Sequence, residues 1–164
     1  MNKKSSTSIV VQNIYKYYRW KDSKLGSLKS IARYINDPTI SINVLKNWSS
    51  GRSTPSLHQL ELLGYYMSIH PSLLVVEELE FSLDRMAIWK DNIVEIFYLN
   101  FEKYNRQRKD FPKYFNEEFM SYRSYRETLN AKKSSINLDK IDKIAKILSI
   151  ETAEMLEEQN EKKN

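Results

Sequence analysis

Ser27-Leu28-Lys29-Ser30-Ile31-Ala32-Arg33-Tyr34-Ile35-Asn36-Asp37-Pro38-Thr39-Ile40-Ser41-Ile42-Asn43-Val44-Leu45-Lys46-Asn47-Trp48-Ser49-Ser50-Gly51 is the stretch whose reading decides the fold. Ser27 is a good N-cap, because its hydroxyl can accept one of the backbone N–H groups that the first turn leaves unpaired. It predicts a helix over 28–35. Asn36-Asp37-Pro38-Thr39 must be a turn, since a residue before proline is pushed out of the α region, and Asn36 tolerates the left-handed conformation. Ser41 then caps a second short helix running to about Ser49, and Gly51 to Pro55 form the next turn.

Working outward, the spacing predicts a helix from about Ser8, its N-cap, to Lys21. A further helix behind Ser56 carries Leu57, Leu60 and Leu63, and a short one covers Pro71 to Val75. The same order recurs later in the chain. Ser8-Ile9-Val10 with Tyr15, Tyr17 and Trp20 is matched 84 positions on by Asn92-Ile93-Val94 with Leu99, Phe101 and Tyr104. Leu57, Leu60 and Leu63 are matched 81 positions on by Leu138, Ile141 and Ile144, and Met67-Ser68-Ile69 and Leu74 by Leu148-Ser149-Ile150 and Met155. The second copy is expected to have helices over 91–104, 111–118 behind Asp110, 122–130 behind Ser121, 138–148 behind Asn137, and 152–156. The expected architecture is all-α: two tandem five-helix lobes, residues 1–80 and 81–164. The chain's 164 residues allow two such small domains, each with a thin core helped by packing on its neighbour.

Composition narrows the function classes. The chain is 41% hydrophobic and 29% charged, an ordinary globular balance, and three Gly and four Pro argue against an all-β fold. With no Cys there is no disulfide framework, thiolate metal site or cysteine nucleophile. The N-terminus lacks the apolar run of a signal peptide, and no membrane span is visible, so a cytoplasmic location is expected. Richness in Lys, Asn and Ile points to an AT-rich bacterial, plasmid or phage genome. The formal net charge of +5 is uneven: residues 1–76 hold ten Lys/Arg against three Asp/Glu, whereas 151–164 hold two against five. A polyanionic partner is a natural reading, and solubility is the plain alternative.

Short capped helices joined by a tight turn are what a helix-turn-helix requires. One helix braces the backbone of a duplex while the next sets its N-terminal residues in the major groove. Over about residues 8–75 the chain resembles the Cro/C1 repressor-type (XRE) helix-turn-helix family. The resemblance is carried by Ser27-Leu28-Lys29-Ser30-Ile31-Ala32, Ile40-Ser41, Trp48 through Leu57, and Ile69 to Leu74. Asp37-Pro38-Thr39 departs from it as a three-residue insertion in the turn. Residues 91–157 resemble the family through Tyr125 to Lys133, with Ala131 where Gly is usual, and through Leu138 to Leu148; Phe115 stands where a small residue is usual.

The resemblance implies lambda-repressor-like lobes forming a pseudo-dimer, and a sequence-specific double-stranded DNA-binding transcriptional regulator. It places Ser41, Ile42, Asn43, Lys46 and Asn47 at the first groove, and Lys29, Arg52 and Ser53 at phosphates. For the second lobe it implies Tyr122, Arg123, Ser124 and Arg126 at the groove, with Lys113, Lys132 and Lys133 at phosphates. Lys46 and Arg126 also read as solvated helix faces, and Trp48 reads as core. The alternative function is a protein-interaction module that grips a polymerase subunit, a repressor or a host defence factor. The chain could be a monomeric pseudo-dimer or a homodimer through one lobe.

An enzyme is the poorer reading. His58 and His70 are the only histidines and are not spaced as a helical metal pair. Gly26, Gly51 and Gly64 are isolated and build no phosphate loop. No cofactor and no metal is expected.

Overall fold

The local chemistry of the caps sets the helix boundaries. A computed structural model describes residues 4–81, 92–108 and 120–158 of the chain. Among these residues there are eight α-helices, two short 3-10 helices and no strand. None of the helices is long and apolar enough to cross a membrane. The N-terminal half contains α1 (Ser6–Lys21), α2 (Leu28–Ile35), α3 (Ile42–Ser50) and α4 (Leu57–Met67), with 3-10 helices at Pro38–Ile40 and Pro71–Val75. The C-terminal half contains α5 (Ile93–Gln107), α6 (Tyr122–Ala131), α7 (Leu138–Leu148) and α8 (Thr152–Leu156). The helix expected over 111–118, with Lys113 and Phe115, lies outside the described residues.

Ser27 and Ser30 cap α2 reciprocally, and Asn36 ends it at φ 54°. Asp37 is extended before Pro38, and its carboxylate accepts from the Thr39 amide at 2.8 Å, so the insertion folds as a 3-10 turn. Ser41, Ser56, Ser121 and Asn137 each accept an amide three residues on, at the heads of α3, α4, α6 and α7. Gly51 closes α3 at φ 80° with nothing within 4 Å of a would-be Cβ, so its backbone conformation alone favours glycine there.

Three expectations are corrected. α1 begins one turn before Ser8, because Ser5 is the N-cap and accepts the Ser8 amide at 3.1 Å. The match between α1 and α5 runs 87 positions apart rather than 84: Ser5 and Asn92 are the caps, and the buried pairs are Val10 with Phe97 and Ile14 with Phe101. Leu99, which the shorter spacing pairs with Tyr15, is 57% exposed. Finally, Ala131 is helical and Lys132 takes the left-handed turn at φ 51°, as Gly51 does in the first half.

Buried residues of both halves form one contiguous apolar cluster, from Val10 through Leu156. Its seam is a backbone exchange. Leu57 N–H donates to the Ile136 carbonyl at 2.8 Å, and Leu138 N–H donates to the Pro55 carbonyl at 2.7 Å, around an antiparallel bridge between Ser56 and Asn137. Leu57 and Leu138 stand 81 positions apart, as do Pro55 and Ile136, so each bond is the image of the other. The buried Asn13 holds the Leu74 and Val76 carbonyls, and the buried Asn100 does the same for Met155 and Glu157.

Candidate nucleic-acid interface

The residues of the first expected interface come together around α2 and α3. Leu45 and Trp48 turn inward and are buried, which fixes the opposite face of α3 toward solvent. On that face Asn43 and Lys46 are exposed, with Ile42 and Asn47 half-buried beside them. Ser41 is spent on capping, its hydroxyl accepting from Val44 N–H at 3.3 Å. Lys29 is exposed on α2 and borders a notch shared with Arg33, Asn36, Ser41 and Ile42. Arg33 is the residue the sequence reading missed. Its signal is its position one helical turn after Lys29, on the same face.

Arg52 and Ser53 are exposed, but their backbone amides donate to the Asn47 carbonyl at 2.9 and 3.3 Å. Only their side chains remain available to a ligand. The insertion between α2 and α3 is pinned from α4: Gln59 donates to the Thr39 carbonyl at 3.1 Å, and the Tyr66 hydroxyl donates to Asp37. The Tyr66 bond, followed by that of the Thr39 amide, holds the Asp37 carboxyl below its ordinary value.

The second set is arranged differently. Tyr125 and Leu129 are buried and orient α6. Tyr122 is 48% exposed with its ring parallel to that of Tyr125. Arg123 is in solvent with its Nε 3.0 Å from Glu127 Oε1. Ser124 and Arg126 are half-buried, and the Ser124 carbonyl accepts from Thr128 at 2.8 Å. Lys132 Nζ lies 2.7 Å from Glu102 Oε1, and this bond keeps the Glu102 carboxyl below its usual range. Lys133 is exposed while its carbonyl accepts from the Tyr98 hydroxyl at 2.7 Å.

The turns following α3 and α6 meet at the Ser56–Asn137 bridge. Of the two histidines, His70 caps the Pro71–Val75 turn through its ring, and His58 is exposed on α4 beside Glu61. No protein-family model matches the chain, and neither a curated protein nor a solved structure does.

Proposed function

We propose that the chain is a sequence-specific double-stranded DNA-binding transcriptional regulator, built from two tandem lambda-repressor-like helix-turn-helix lobes acting as an internal pseudo-dimer. The observation carrying this reading is the open face of α3. Asn43 and Lys46 are exposed there, flanked by exposed Lys29, Arg33 and Arg52, and none of these four cations is ion-paired among the described residues. Unpaired cations are ready to displace the counterions of phosphates, and Asn and Lys on a groove-facing helix pair with adenine and guanine edges. The paired backbone bonds across the seam support the pseudo-dimer.

Footprinting and a gel shift of Asn43→Ala with Lys46→Ala test the reading. The double variant is expected to lose about 1–3 kcal/mol of discrimination per lost base contact. Unchanged affinity together with unchanged base preference overturns the assignment of α3.

A second reading, a module that grips another protein, draws on Trp20, Tyr34 and Tyr65, which are 43%, 52% and 72% exposed. Aromatic side chains are enriched at protein interfaces. Salt separates the two, because phosphate contacts weaken steeply with ionic strength and an aromatic contact does not.

A further inference from the structure

The two solvent faces differ in chemistry. Where α3 offers the uncharged Asn43, α6 offers Arg123 80 positions later, paired at 3.0 Å with Glu127 one turn further along the helix. We infer that Glu127 is a positioning residue which presents Arg123 to a guanine, so that the second half-site requires a G·C pair at the position where Asn43 of the first half favours an adenine. This rests on the DNA-reading proposal above.

The argument is geometric. Glu127 engages Arg123 through Nε, which leaves the terminal Nη edge of the guanidinium open. That planar edge carries paired N–H donors matching the O6 and N7 acceptors of guanine in the major groove. The side chains of the pair are 89% and 66% exposed, so it adds little to stability. Its part is orientation: while the pair is formed, Nε is occupied by Glu127 and the Nη edge is the part of the guanidinium left for a base. Asn43 and Asn47 have the donor and acceptor pattern of an adenine reader instead. Lys132, expected at a phosphate, is ion-paired with Glu102. The two half-sites therefore differ in the base required at this position.

The test uses the full chain and duplexes obtained by binding-site selection, with each base pair then replaced singly. For the wild type, one G·C pair in the second half-site is expected to be worth about 5- to 150-fold in affinity. Arg123→Ala, which removes the donors to O6 and N7, should abolish that preference. Glu127→Ala should lower it at that base pair while preference in the other half-site is unchanged, and affinity for random duplex should rise with the loss of a negative charge from this face. Glu127→Gln, which keeps an acceptor for Nε, should restore part of it. Full guanine preference in Glu127→Ala overturns the inference, and so does a second half-site with no guanine requirement while Lys46→Ala still alters the first. Binding without any sequence preference, indifferent to Lys46→Ala, overturns the DNA-reading proposal as well.

Discussion

Gly64 shows how little room some single positions leave. A Cβ there would meet Pro71 Cγ at 2.7 Å and the Ile69 carbonyl oxygen at 2.9 Å, and neither a proline ring nor backbone yields cheaply. Gly64→Ala is expected to destabilise the protein by about 1–3 kcal/mol, read from chemical denaturation; an unmoved midpoint would show that the Pro71–Val75 turn can shift away. Asp37 makes a pH prediction. Its carboxyl is lowered in the folded chain, chiefly by the Tyr66 hydroxyl and then by the Thr39 amide. The stabilisation is therefore fully present above the unfolded carboxyl value and is lost as pH falls through the lowered folded value. Tyr66→Phe should melt below the wild type at neutral pH, with the gap closing in acid. A gap that persists at low pH would assign the effect to packing instead.

At the scale of elements, Asp142 on α7 joins three helices. Its carboxylate accepts from the Ser6 amide at 3.1 Å, from the Ser6 hydroxyl, and from the Thr152 hydroxyl at 2.7 Å, tying α1 and α8 to α7. Asp142→Ala leaves these donors without that partner and should cost about 1–3 kcal/mol; Asp142→Asn, which keeps one acceptor, should cost less. Equal losses in urea titrations of the two variants would count against this role. Capping made most helices legible in advance. Ser27, Ser41, Ser56, Ser121 and Asn137 act on amides three residues away, so their effect is written in the local sequence. The register of α5 against α1 was not legible. A slip of three residues nearly completes a helical turn and leaves a similar apolar face, so side-chain type alone could not separate 84 from 87. The face of α3 was legible from Trp48, read as core and buried together with Leu45, whereas on α2 the buried Ile31 was not singled out and Arg33 was overlooked. Glu102 with Lys132 and Ser6 with Asp142 were out of reach, because long separations in the chain are closed only by the packing of other helices.

For the whole molecule, the seam decides how the halves behave in solution. Leu57, Leu60 and Leu63 of α4 and Leu138, Ile141 and Ile144 of α7 are fully buried in one shared cluster. The halves should unfold together in one transition, whose midpoint does not change between about 1 µM and about 100 µM protein. Sedimentation should report a monomer at both concentrations. A midpoint that rises with concentration, or a dimer, would mean that another surface joins two chains.

The exchange around Ser56 and Asn137 also bears on dosage. Were the two partners separate molecules, the number of complete pairs at low abundance would grow as the square of their concentration. If, as proposed above, the two halves act as a pair, every chain already holds its pair, and the count of active units would grow in direct proportion to the number of chains made. The output of such a pair would follow synthesis smoothly, without the threshold that assembly from two free subunits imposes.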